Sequence, residues 1–340
     1  MAAMLSHGPV SLNDATRDWL RREVLGGRTP AGARTLLGGY TNESILLTTD
    51  ARDRYVLRRY RPSDSQVPRN TCAVEAAVLR RLTGTVPVPD VVAADETGDA
   101  TGGPLLVYRF VDGTLLGDLL PGLDHREAAP LGRAVGGVLA RIGSVRLPRP
   151  GPFRGPALAP EADSASAVAD LPGFIQHCLE APGCTRLLTD ADRKALRSLA
   201  AQAAHWIAGV VGASSLVHRD FNPKNVLVTR RRGRWEVAAV LDWEQAFSGP
   251  ALLDVGNMLR FAHEYPAAFV QAFLEGVQED AGPLPDDWPV ISHALDLFAL
   301  ADILTHPPDT AFFERTRGVL YRRLDQGLGG GFGTPATPGD

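Results

Sequence analysis

Lysine is nearly missing from this 340-residue chain: of its 35 basic residues only Lys194 and Lys224 are lysine, and the rest are arginine. No lysine occurs before Lys194, so arginine must stand in for any lysine needed there. Cysteine is scarce too. Cys72, Cys178 and Cys184 are odd in number and match no zinc-ligand spacing, so they read as reduced thiols rather than as a disulfide framework. No apolar run reaches the length of a membrane span, and the start, Met1-Ala2-Ala3-Met4, has neither a basic nor an apolar signal region. A cytoplasmic chain with no membrane partner is expected. The formal charge of −4 argues against nucleic acid as a partner.

What is there suffices for two domains, each with its own core: 44% of residues are hydrophobic, an ordinary globular share. The charge is unevenly spread. From Phe261 to Glu314 lie ten of the 39 acidic residues and none of the basic ones.

Patterning changes along the chain. Ser11 to Asp14 precede an amphipathic helix over Ala15–Val24, stopped by Gly26-Gly27. Strand-like runs follow at Arg34–Leu37, Ser44–Thr48 and Tyr55–Arg58, with a helix over Thr71–Leu82 and further strands at Val91–Ala93 and Leu105–Tyr108. After Val111-Asp112-Gly113 the pattern turns helical: His125–Ile142, Ala165–Leu179, Asp190–Val210, Leu252–Ala262, Pro266–Gln278, Trp288–Leu304 and Thr310–Gln326. Pro148–Pro160 is rich in Pro and Gly and is expected to be an exposed loop, and the Gly/Pro/Thr-rich tail a disordered one. The expected organisation is an N-terminal helical extension over 1–30, a β-rich lobe over 31–109, a helical lobe over 110–327 and a tail over 328–340. The class is α+β.

One stretch carries chemistry. His218-Arg219-Asp220 is followed five residues after the Asp by Asn225, and an apolar strand then ends in Asp242-Trp243. Phosphoryl transfer from a nucleotide needs this set: one carboxylate to orient the acceptor hydroxyl and take its proton, and an amide oxygen with a second carboxylate to hold a metal. Asp220 is the candidate base, and Asn225 and Asp242 are the candidate Mg²⁺ ligands. An Asx-rich turn explains the loop but not the strand-end Asp242. His218 reads as a structural residue bonded to backbone, and Asp254 as one that orders the loop or caps a helix. Lys224 is either a phosphate contact or a solvated lysine.

With Gly38-Gly39-Tyr40-Thr41-Asn42, Tyr55-Val56-Leu57-Arg58, Glu75, Tyr108 to Gly113, His218 to Asn225 and Asp242-Trp243 in this order, the chain resembles the aminoglycoside phosphotransferase and choline kinase-like group of enzymes. The resemblance implies a protein-kinase-like bilobal fold, a small β-rich N-lobe and a larger helical C-lobe. It further implies Mg²⁺ and ATP or GTP, with a small hydroxylated substrate. Gly39, Thr41 and Asn42 would lie near the phosphates. Arg58 stands where kinases carry a phosphate-binding Lys, with Glu75 as the carboxylate that holds it. Val56 and Arg58 share a strand face, with Arg59 turned away. Backbone groups of Arg109 to Val111 would meet the purine edge, and Tyr108 would guard the back of the base pocket, leaving ATP and GTP both open.

The acceptor stays open. The acidic stretch suits a polycation such as an aminoglycoside, or else consists of helix-end charges in solvent. The aromatics of the same lobe suit a sugar or a nucleoside antibiotic of the capuramycin type. An antibiotic O-phosphotransferase that inactivates its substrate is expected. A metabolic kinase acting on choline, a sugar or homoserine is the alternative, and a nucleotide-binding pseudokinase scaffold is the alternative of another class.

Overall fold

The computed structural model describes residues 5–36, 42–61, 71–160, 168–181, 184–305, 311–330 and 332. Its contacts group the chain in two compact units. The first takes Met1–Asp118, Phe153–Ala159 and Lys224–Ala246; the second takes Leu119–Pro152, Pro160–Pro223 and Phe247–Asp340.

In chain order, the first unit opens with β1 (Leu5–Pro9), α1 (Asp14–Glu23), β2 (Gly32–Leu36), β3 (Glu43–Thr48), β4 (Arg54–Arg59), α2 (Cys72–Leu82), β5 (Val91–Asp95) and β6 (Leu105–Arg109). The strands form an antiparallel sheet of order β1-β2-β3-β4-β6-β5. Alternation decides its two faces. Ile45, Leu47, Tyr55, Leu57, Leu105 and Val107 pack against Leu12, Trp19, Leu20 and Leu25 around α1. The N-terminal helix is thus part of this unit's core. Asn13 caps it, its side chain accepting from Thr16 N at 2.7 Å. Val56, Arg58 and Tyr108 lie on the other face, since Val56 pairs with Tyr108 and Arg58 with Leu106. The sharing of one face by Val56 and Arg58 follows the period of two.

Then come β7 (Thr114–Leu115), α3 (Leu116–Leu119), α4 (His125–Ser144), β8 (Gly151–Pro152), α5 (Leu171–Glu180), α6 (Cys184–Leu187), α7 (Asp190–Ala208) and β9 (Ser215–Val217). They are followed by β10 (Val226–Arg231), β11 (Arg234–Val240), β12 (Phe247–Gly249), α8 (Leu252–Leu259), α9 (Ala267–Ala281), α10 (Trp288–Asp302) and α11 (Ala311–Gln326). The hairpin β10–β11 pairs with β7 in the first unit, and β8-β12-β9 form a small sheet in the second.

Helices α4 and α9 make close backbone contact in the second unit. A Cβ at Gly132 would stand 2.4 Å from Phe269 O, one at Gly136 2.1 Å from Phe273 O, and one at Gly276 2.4 Å from Arg133 O. Only glycine permits that approach. Trp288–Thr305, around α10, is long and apolar enough to cross a membrane by length and composition, but 67% of it is buried inside the protein, as in a core helix.

Two expectations need correction. The stretch Pro148–Pro160 is not simply an exposed loop: β8 pairs with β12, and Phe153 and Leu158 are buried. Their apolar side chains outweigh the turn composition. Nor does the chain leave the protein at Gly327. Leu328 is buried, and Phe332 stacks on Trp288 with ring centroids 5.3 Å apart. Residues 331 and 333–340 of the expected tail lie outside the described residues, as do 165–167 of the expected helix over Ala165–Leu179.

A histidine fastens this C-terminal segment. His293 Nδ1 is 2.9 Å from Leu328 O, and its Nε2 is 2.7 Å from a guanidinium nitrogen of Arg323. A carbonyl only accepts and a guanidinium only donates, so the neutral ring protonated on Nδ1 satisfies both. Burial, with Arg323 beside it, pushes His293 down to about 4. The depressed value means that this stabilisation is complete above the ordinary histidine value and is lost as pH falls through about 4. Acid unfolding from pH ~6.5 to ~4 should therefore cost the native chain about 3 kcal/mol more than it costs His293→Leu. Equal losses in urea titrations of the two proteins would refute this.

Candidate active site

In the second unit, β9 runs into the loop that carries Asp220. Arg219 has φ +69°, a left-handed conformation that costs a non-glycine residue about 1 kcal/mol or more and persists only when its surroundings hold it. They do. Asp254, buried in the first turn of α8, accepts from His218 N at 2.7 Å and from Arg219 N at 2.8 Å. Asn257 Nδ2 donates to Arg219 O at 2.9 Å. Burial pushes the Asp254 carboxyl up to about 7, against the pull of the two backbone N–H groups. The expectation that Asp254 orders the loop is met.

His218 is fully buried, and its Nδ1 accepts from Asp220 N at 3.2 Å. It is bonded to backbone, as expected of a structural residue. Asp220 is half-buried, and its Oδ1 accepts from Asn222 Nδ2 at 2.6 Å. Asn222 was not singled out in the sequence; its place two residues after an Asp, the Asx-turn spacing, was the available signal.

In the first unit, register brings the two candidate metal ligands to one end of a hairpin. Val226 pairs with Val240, and Leu241 N donates to Asn225 O at 2.8 Å. Asn225, buried, thus stands opposite Leu241, and Asp242 follows with φ +66°. The same end holds a network around Arg58, which is buried with only 7% of its surface exposed and so is no surface arginine. Its Nε lies 3.3 Å from Glu75, and one terminal nitrogen reaches Asp242 Oδ1 at 2.6 Å and Glu244 Oε2 at 2.7 Å. Burial opposes the charge on Arg58, yet Glu75 and Asp242 hold the group well above its ordinary value. The Glu75 carboxyl is pushed up by burial and by Asp242 and Glu244, and pulled back by Arg58. Tyr60 donates its hydroxyl to Glu75 Oε2 at 2.5 Å.

Three carboxylates around one guanidinium leave negative charge in excess, which suits a divalent cation. Among the described residues no cluster of three His, Cys, Asp or Glu forms a metal cage. One amide and one carboxylate oxygen fit Mg²⁺, which takes few protein ligands and completes its shell from phosphate and water.

Other candidates fall as follows. Gly39 and Thr41 lie outside the described residues. Asn42 is buried; its Nδ2 donates to Glu244 Oε2 at 2.6 Å, and its Oδ1 accepts from Arg61 N at 3.3 Å. Tyr108 is half-buried beside Arg58, and burial pushes its hydroxyl up to about 12. Arg109 is exposed and its backbone N–H donates to Asp90 O at 2.9 Å, while Phe110 N donates to Arg54 O at 3.1 Å. Val111 is half-buried and Lys224 exposed. Glu244 escaped the sequence reading, although a carboxylate two residues past Asp242 was a visible signal.

The acidic stretch draws counter-charges from outside itself. Arg133 of α4 pairs with Glu275 and Glu279, Arg141 with Asp280, Arg315 with Glu264 and Arg260 with Asp296. Its aromatics are mostly core: Phe261, Tyr265, Phe269, Phe273, Phe298 and Phe313 are buried.

The family model described as APH, phosphotransferase enzyme family, matches residues 32–291. No curated protein sequence matches the chain. Among solved structures, a thermostable mutant of aminoglycoside phosphotransferase APH(4)-Ia, in ternary complex with AMP-PNP and hygromycin B, superposes with a TM-score of 0.60 at 19% identity, covering 94% of this chain and 100% of that one. A mutant of aminoglycoside 2'-phosphotransferase-IIIa complexed with GDP gives 0.64 at 16% identity, over 93% and 99% of the two chains. Macrolide 2'-phosphotransferase MphH from Brachybacterium faecium gives 0.54 at 19% identity, over 90% and 97%. At such identities the likeness establishes the fold, the α+β, protein-kinase-like class read from the sequence.

Removing the central cation should be costly. Arg58→Met leaves Glu75, Asp242 and Glu244 facing one another, and urea unfolding should show a loss of about 3–5 kcal/mol. Arg58→Lys, which keeps the charge, should lose less; equal losses would refute the electrostatic account.

Proposed function

The chain belongs to the phosphotransferase enzyme family, and from that premise we propose that it transfers the γ-phosphoryl group of ATP or GTP to a hydroxyl of a small-molecule antibiotic. The observation that supports this most is the ordering of Asp220: its backbone N–H bonds His218, its carboxylate bonds Asn222, and Asp254 pins the loop before it. An acid so fixed can orient an acceptor hydroxyl for in-line attack and take its proton as the O–P bond forms and the nucleoside diphosphate leaves. Positioning carries most of the effect, because the transition state is loose and little base strength is needed.

Asn225 and Asp242 would hold Mg²⁺, which when bound neutralises charge on the phosphates. Glu75 and Glu244 secure Arg58, and Arg58 in turn bonds Asp242. On this reading Arg58 orients a metal ligand as well as facing the phosphates. Because the N–H groups of Arg109 and Phe110 are engaged within the first unit, Val111 is the better donor to the purine edge. Gly39, Thr41 and Lys224 keep their proposed places near the phosphates.

The acceptor need not be a polycation. The arginine pairing of the acidic stretch removes the main reason to expect one, and favours an uncharged sugar or nucleoside antibiotic, or a metabolic alcohol. A pseudokinase scaffold is disfavoured by the complete Asp220, Asn225 and Asp242 set.

Incubation with ATP and with GTP against a panel of aminoglycosides, macrolides, nucleoside antibiotics and small alcohols, read by mass spectrometry, should show the mass of one added phosphoryl group. Asp220→Ala should then lower kcat by ~10²-fold or more while nucleotide still binds. Asn225→Ala and Asp242→Ala should weaken Mg²⁺ in a metal titration. An Asp220→Ala protein with undiminished kcat would overturn the assignment.

A further inference from the structure

Beyond the loop itself, the second unit contains a buried polar chain that none of the functions above uses. Arg260, at the C-terminal end of α8, is 7% exposed, and Asp296 on α10 is 4% exposed. Arg260 Nε lies 3.1 Å from each Asp296 oxygen, and its NH2 reaches Oδ1 at 2.6 Å. The same NH2 donates to Asn257 Oδ1. Asn257, 1% exposed, donates to Arg219 O at 2.9 Å and lies beside the Asp254 carboxyl, which it draws down against burial.

Chemistry allows one arrangement of that amide. A guanidinium only donates, so Asn257 must turn its oxygen to Arg260; its NH2 then faces the Arg219 carbonyl and the Asp254 carboxylate, which only accept. The mounting is stiff. A Cβ on Gly256 would stand 2.7 Å from Ser292 O, and Ser292 Oγ donates to Leu252 O at 3.0 Å, so α8 and α10 meet backbone to backbone. Asp254 and Asn257, three residues apart, present one helical face to the loop. Asp254 holds the N–H side of the left-handed residue and Asn257 its carbonyl side. The next peptide is that of Asp220.

We propose that Asn257, its amide oriented by the Arg260–Asp296 pair, is a positioning residue that sets the direction of Asp220 through the Arg219 carbonyl. The relay deepens the phosphotransferase reading and rests on it for its catalytic consequence, but its structural part can be tested alone. Asn257→Ala removes the donor. Asn257→Asp keeps the shape and the contact with Arg260 but turns a second acceptor towards Arg219 O and Asp254, so it should be the worse of the two.

Hydrogen exchange followed by mass spectrometry on the peptide covering residues 216–223 needs no substrate. Both variants should raise exchange at the His218–Asp220 amides by ~10-fold or more, with exchange in α4 and α9 unchanged. In transfer from γ-labelled ATP or GTP to the acceptor found in the panel, Asn257→Ala should lower kcat ~30-fold with acceptor KM and nucleotide affinity unchanged, as expected when a reacting group is misdirected. In the Asp220→Ala background the same substitution should cost nothing further, since it acts only through that carboxylate. Unchanged exchange in both variants, or a loss in the Asp220→Ala background equal to that in the native one, would overturn the relay. Should Asn257→Asp fail to fold, Asn257→Ala still decides. An Asp220→Ala protein that transfers normally would sink the proposed function instead, and the exchange data would still judge the relay.

Discussion

The first unit is organised by one buried charge. Arg58, on a strand, is surrounded by Glu75 from a helix and by Asp242 and Glu244 from the turn after a hairpin. Taking a guanidinium out of water is costly unless its charge is paired, and three carboxylates pair it, two of them hydrogen-bonded to one terminal nitrogen. The same match commits Asn42, which bonds Glu244, and Tyr60, which bonds Glu75. A lysine is one point charge and lacks the separated Nε and terminal nitrogens with which Arg58 meets Glu75 on one side and Asp242 and Glu244 on the other. The near absence of lysine from the chain therefore has a local counterpart: this arrangement is built for arginine. The leftover negative charge stands beside Asn225 and Asp242, where a divalent cation would be welcome.

The second unit solves a different problem. Its loop must hold a non-glycine residue in a left-handed conformation so that Asp220 is directed, and helix α8 supplies the means. Asp254 grips two backbone N–H groups and Asn257 the carbonyl, while the close meeting of α8 with α10 prevents that grip from yielding. Another left-handed residue, Asp242, belongs to the first unit and is held by Arg58. Of the five described non-glycine residues with positive φ, these two sit next to or at positions proposed for chemistry, and each is held by its neighbours.

Charge pairing corrects an impression that composition leaves. A stretch with ten acidic and no basic residues reads as a field for a cation. The partners of Glu275, Glu279 and Asp280 lie on α4, more than a hundred residues earlier. Sequence order hides such pairs because they form only once α4 and α9 pack through Gly132, Gly136 and Gly276.

By itself the sequence determined the strand and helix succession, since periods of two and 3.6 are local properties. It also marked Asp220, Asn225 and Asp242 as a candidate set, because loop and strand-end spacing is written along the chain, and Arg58 as the candidate cation where a lysine is absent. Only the tertiary structure decided that Lys224–Ala246 folds with the N-terminal sheet, that Glu244 joins Arg58, and that Asn257, Arg260 and Asp296 line up behind the loop. Those contacts join residues 36 to 186 positions apart. A buried polar group takes its partner from whatever packing brings within reach, and no local pattern in the chain encodes that reach.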